Sequence, residues 1–156
     1  MGMYGRSYTI RVAPTAVSAP LDFMEIVPAS NKPVIIERVV LTPMDSETNQ
    51  QVQVTVKYLP ATFTSGSGGS VPTVQSTNPA DAASAFTVEA FNTTRATTSG
   101  TVGYHANEGY PSQGGFEYLP DVARRPKCTS VGAIVIGIEE SMAGAIVGGY
   151  VEVEEF

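Results

Sequence analysis

The chain has 156 residues, a mass of 16.4 kDa, a net charge of −6 and a sequence pI of about 4.7. That length suits one domain, residues 1–156, and the acidic balance argues against duplex nucleic acid as the main ligand, because neutralising phosphates takes clustered Lys and Arg. One cysteine, Cys128, and one histidine, His105, exclude an internal disulfide and a Cys/His zinc site, and charged residues are only 15% of the chain, so Ser, Thr, Asn, Gln and Gly must supply most of the polar surface.

Residues 1–7 have no apolar core of a secretory signal and read as an N-terminal arm. Tyr8, Ile10 and Val12 then alternate with Thr9 and Arg11, the period of a half-buried strand. Residues 21–26 form a second short strand. Residues 34–41 form a third, with a nearly continuous apolar run that suits cover on both faces. The clearest strand sets Val52, Val54, Val56 and Tyr58 on one face and Gln51, Gln53, Thr55 and Lys57 on the other, so a slip of one residue would turn the valines to water. Residues 64–77 are Gly, Ser, Thr, Gln and Pro around two valines; such a segment reads as a long flexible loop. Asn78, Pro79 and Asp81 are a helix-start signal of one or two turns.

Phe86, Val88 and Ala90 mark the next strand, and residues 101–105 a weaker one. Residues 109–115 read as a loop, 116–119 as a short strand and 120–127 as irregular, with Arg124, Arg125 and Lys127 as a solvated charge run. Ile134, Ile136 and Ile138 make a strong strand. The last strand, 147–153, is expected to pair with it across 139–144. The longest apolar run, 131–138, is strand-length and well below the ~20 residues of a membrane helix. About eight short strands separated by turn signals, with almost no helix, predict an all-β, jelly-roll-like sandwich or barrel with long loops.

No constellation of reactive groups stands out. Gly66-Ser67-Gly68-Gly69-Ser70 lacks the Lys and the following helix of a phosphate loop. His105 reads as a surface or edge-strand histidine with no nucleophile elbow, and Cys128 as an unreactive thiol. The acid pairs Asp22/Glu25, Asp45/Glu47 and Glu139/Glu140 fall at turns or strand ends, where solvated carboxylates are expected, and Asp45, Glu47 and Asn49 lack an EF-hand spacing. Asn92-Thr93-Thr94 matches a glycosylation sequon by chance. Tyr104, Tyr110, Phe116 and Tyr118 are suited to stacking on a sugar, to anchoring an interface or to filling the ends of the sandwich. The expectation is a binding or structural protein, not an enzyme, with no catalytic or metal-ligating residue, no cofactor and no membrane partner.

Several segments together resemble a group of small structural proteins of tailed bacteriophages and prophages. They are Tyr8-Thr9-Ile10; Val17-Ser18-Ala19-Pro20-Leu21-Asp22-Phe23-Met24-Glu25-Ile26; Pro28-Ala29-Ser30-Asn31-Lys32-Pro33-Val34; Thr64-Ser65-Gly66-Ser67-Gly68-Gly69-Ser70; Asn78-Pro79-Ala80-Asp81-Ala82-Ala83; Phe91-Asn92-Thr93-Thr94; and Tyr150-Val151-Glu152-Val153-Glu154-Glu155. The resemblance spans most of the chain and involves scaffold and loop motifs. It implies a capsid decoration (cement) protein: a homotrimer on the outer surface of the virion head, bound to the major capsid protein. Residues 1–7 and 64–77 are the expected contacts, with Met1, Tyr4, Arg6, Ser65, Gly66, Gly68, Gly69, Val71 and Tyr110 as the candidate interface. A receptor- or carbohydrate-binding module of a phage fibre is the alternative.

Overall fold

The structure, a computed structural model, describes residues 5–45, 49–129, 131–142 and 145–156. Among these residues are thirteen strands, in chain order β1 (Arg6–Ala16), β2 (Leu21–Val27), β3 (Val34–Asp45), β4 (Gln51–Leu59), β5 (Phe63–Thr64), β6 (Thr73–Ser76), β7 (Thr87–Asn92), β8 (Thr97–Thr98), β9 (Gly103–Pro111), β10 (Phe116–Tyr118), β11 (Lys127–Cys128), β12 (Ala133–Ile138) and β13 (Ile146–Glu155). Two antiparallel sheets face each other. Sheet A runs β10-β3-β13-β1-β6, with β11 also on β3, and sheet B runs β7-β2-β12-β4-β9.

The pairing is that of one long hairpin folded over on itself. β1 pairs with β13, β2 with β12, β3 with β10 and β4 with β9. Wrapping this hairpin brings β13 against β3 and β12 against β4, which closes the jelly roll. At the hairpin's tip, between β4 and β9, lies an insertion, residues 60–102. It adds β6 to the edge of sheet A and β7 to the edge of sheet B, and the β5–β8 ribbon lies within it.

Between the sheets the alternating residues meet as the sequence predicts. Val52, Val54 and Val56 pack with Ile134, Ile136 and Ile138, all 0% exposed. Tyr8 and Ile10 face them from sheet A, with Val151 and Val153 beside them. The strands covered on both faces are β2 and β12, whose residues are buried along nearly their whole length; β3 alternates between buried and half-buried. This corrects the expectation for residues 34–41. The outer face of β3 carries Ile35, Arg38 and Val40, and Arg38 lies 5.8 Å from the Tyr150 ring centroid on β13.

Other expectations are also corrected. β13 does not pair with β12, because β2 and β4 already occupy both edges of β12; β13 crosses to sheet A and fits between β1 and β3. The Asn78 signal starts no helix. Its Oδ1 accepts the Ala80 N–H (3.1 Å) and its carbonyl accepts the Asp81 N–H (3.0 Å), so the same capping chemistry closes a turn. Residues 109–111 continue β9, and part of the basic run forms β11, with Arg125 paired to Glu37 (2.8 Å).

Candidate interaction surface

The outer face of sheet B is a second packing layer. Ala133 and Val135 point outward from β12 and are buried with Leu59 against Ala96 of the insertion, flanked by Phe63 and Val102. Leaving a valine such as Val135 uncovered would forfeit about 1.5–3 kcal/mol, so the insertion belongs to the core and is no loose appendage.

Polar side chains beside this patch hold the insertion down. Registers place Asp22, Gly137 and Thr55 in one row across sheet B, and Glu25, Val135 and Lys57 in the next. Arg95, between β7 and β8, reaches across the first row. Its Nε donates to Asp22 Oδ1 (3.0 Å), and Nη1 and Nη2 donate to the two oxygens of Glu139 (2.6 and 2.8 Å). The Asp22 carboxylate, 0% exposed, accepts the Ala96 N–H as well (2.6 Å). Thr55 Oγ1 donates to Glu139, and Lys57 Nζ lies 3.6 Å from it. Burial alone would push Glu139 up, but the hydrogen bonds from Arg95 and Thr55, with the charges of Lys57 and Arg95, outweigh it and hold Glu139 down at about 2. Those bonds to Glu139 raise the Arg95 pKa in turn. The bidentate geometry makes Arg95 a clamp in a way Lys could not match.

In the next row, Glu25 Oε2 accepts the Gly66 N–H (2.8 Å) and the Asn92 Nδ2–H (3.3 Å). Asn92 is wholly buried, so the sequon is unavailable to a glycan. Residues 64–77, expected as a flexible loop, lie ordered against the sandwich: Ser67 bridges Thr94, Ser70 bridges Ala90 and β6 pairs with β1. Backbone pairing needs no apolar side chains, which is why composition mislabelled this segment. The glycines have steric work. A Cβ on Gly69 would stand 2.2 Å from the Ala90 carbonyl oxygen, and Gly68 sits at φ 82° against the Thr93 hydroxyl.

The candidate interface residues therefore divide. Ser65 and Val71 line a small groove of about 180 Å³ with Glu25, Val27, Val88 and Glu89, and Val71 is 80% exposed. Gly68 and Gly69 are exposed beside it, whereas Gly66 is buried against Asn92. Arg6 is exposed at the start of β1; Met1 and Tyr4, like Glu47 of the suggested calcium ligands, lie outside the described residues. Tyr110 is 3% exposed and its ring packs 5.7 Å from that of Phe116, so it is a core residue, and this candidate is corrected. Its alternate position on β9, directly opposite Val52, explains the burial.

Two of the three acid pairs are rearranged by the fold. Asp22 and Glu25 are buried and each is committed to a different donor set, while Glu139 joins Arg95 rather than Glu140. Cys128 is buried, which pushes its thiol up to about 11. His105 is exposed on the edge strand β9, as the sequence indicates. The Arg95 clamp had no signal in the sequence, since its partners are 44 and 73 residues away.

Compared with known proteins, the chain matches no protein-family model, no curated protein and no solved structure.

Proposed function

We propose that this protein is a virion structural protein that decorates a bacteriophage capsid and stabilises it by bridging coat subunits, acting by binding rather than by catalysis. One observation carries the reading. The two segments expected to reach a coat shell converge: the Thr77 N–H and hydroxyl both donate to the Ser7 carbonyl (2.9 and 3.1 Å), where the N-terminal arm enters β1. Ser7, at the start of β1, and the uncharged 64–77 segment thus lie on one continuous margin of the molecule. The Arg95 clamp and the Gly66–Glu25 bond fix that margin to the sandwich.

Such a margin suits protein contact. Residues 64–77 carry no charge, so little desolvation cost opposes their burial, and their backbone is already paired to the sandwich, so less entropy is lost on docking. A homotrimer would present three such margins, and joining modest contacts raises avidity by about 10²–10⁴. The acidic net charge suits the outside of a head, away from packaged DNA of the same sign.

The test is co-sedimentation of the purified protein with undecorated heads, together with its Val71→Asp variant. Val71 is 80% exposed, so that variant should fold normally. Saturable binding by the parent that weakens about tenfold or more in the variant is the expected result, since a charge would be buried at the contact. No binding by the parent to heads of its own phage would sink the proposal.

A further inference from the structure

One edge of the sandwich is closed by the insertion; the opposite edge, where β9 and β10 end the two sheets, is open. Here a basin of about 450 Å³ is lined by Tyr104, His105, Tyr118, Pro120, Asp121 and Arg124. Its volume lies within the roughly 300–1,000 Å³ of small-molecule sites.

Local structure explains how these groups gather. β9 carries a bulge: Ala106 is opposite Val56 and Tyr104 opposite Lys57, which leaves His105 as the extra residue. Regular alternation would turn one of Tyr104 and His105 inward, but the bulge exposes both. From the other side, Asp121 precedes a single 3₁₀ turn (Val122–Arg124). The turn folds the chain back so that Asp121, before it, and Arg124, at its end, both line the basin. Both side chains are exposed, and neither has a hydrogen-bond or ion-pair partner among the described residues, so both are free to meet a ligand in the basin.

We propose that this basin is a saccharide-binding site, with Tyr104 as the stacking platform and Asp121 and Arg124 as the groups that hydrogen-bond ring hydroxyls. A pyranose offers an apolar C–H face and a rim of vicinal hydroxyls. An aromatic ring that is 60% exposed matches the face, and an unpaired carboxylate and guanidinium, one accepting and one donating, match the rim. His105 and Tyr118 supply further hydroxyl partners. Burial holds the His105 imidazole below its usual value, so at neutral pH it both donates and accepts; burial, with Glu108 close by, raises the Tyr118 phenol, which stays a donor. The site lies on the edge opposite the coat-binding margin, so it stands or falls independently of the decoration reading.

Saturation-transfer NMR on the whole protein tests this, with methyl glucoside, galactoside, N-acetylglucosaminide and glucuronide as probes. At least one probe should show transfer strongest at its ring C–H protons. Tyr104→Ala and Arg124→Ala, both at exposed positions, should each weaken that probe's binding about tenfold while leaving the far-UV spectrum unchanged. Absence of transfer for all four probes at millimolar concentration overturns the proposal. So does binding that both variants retain in full. Loss of self-association in Tyr104→Ala, with no saccharide response in the parent, would instead assign the basin to a protein contact.

Discussion

Replacing Arg95 with Met tests whether the insertion is held by charge or merely by its apolar patch. Methionine keeps most of the aliphatic stem and removes the guanidinium, and with it three charge-assisted hydrogen bonds, to Asp22 and to both oxygens of Glu139. Among the described residues, Glu139 keeps Thr55 and Lys57, and Asp22 keeps the Ala96 N–H. Deleting one partner of a buried pair costs about 3–5 kcal/mol, because the other charge stays desolvated. Arg95 is one-quarter exposed, so water can reach part of the clamp, and about 2–4 kcal/mol is the expected loss. Urea unfolding followed by far-UV circular dichroism measures it; the chain has no tryptophan to serve as a fluorescence probe. If residues 60–102 lift off before the sandwich melts, the m-value falls too, because less surface remains to be exposed. Adding Asp22→Asn and Glu139→Gln to Arg95→Met should recover part of the loss, since neutral amides are cheaper to bury than unpaired carboxylates. An Arg95→Met variant within about 0.5 kcal/mol of the parent, with unchanged m, would show that the clamp contributes nothing and that the apolar patch alone holds the insertion.

Four further outcomes follow from the same geometry. Glu139 is held down at about 2 against an ordinary value of 4.5, so its contribution is complete above about pH 4.5 and is lost as pH falls towards 2; acid titration of stability should show about 1–3 kcal/mol in that window, and Arg95→Met should remove most of it. Gly69→Ala places a methyl 2.2 Å from the Ala90 carbonyl oxygen and should break the Ser70–Ala90 bridge, costing about 1–3 kcal/mol by thermal unfolding, whereas an equally stable variant would mean that the loop shifts freely. Val54→Asp buries an unpaired carboxylate between the sheets and should cost several kcal/mol; unchanged thermal unfolding would refute the register of β4. Cys128, buried and with its thiol pushed up to about 11, should label with a disulfide reagent only at the rate of unfolding, and immediate labelling at neutral pH would contradict its placement.

The class of the fold is legible in local patterns of residues. The alternation at Val52, Val54, Val56 and at Ile134, Ile136, Ile138 has a period of two, and only one face of such strands can be buried between sheets without exposing the other set. The turn signals in the sequence point to about eight strands; thirteen are found among the described residues, and eight of these, β1–β4, β9, β10, β12 and β13, make the wrapped hairpin. Which strand neighbours which was decided by the tertiary structure alone. β12 and β13 are close in sequence yet lie in different sheets, because pairing depends on which edges are still open and not on chain distance. The same is true of the site. A Gly/Ser-rich stretch looks like a flexible loop when only its side chains are read, but Gly66, Gly68 and Gly69 let its backbone approach β7 closely enough to hydrogen-bond. Tyr104 and Tyr110 look alike in the sequence, six residues apart on one strand. The bulge at His105 lies between them, so Tyr104 faces solvent and Tyr110 lies in the core. A bulge, a clamp spanning 73 residues and a free sheet edge are properties of strands in contact, and no local pattern of residues encodes them.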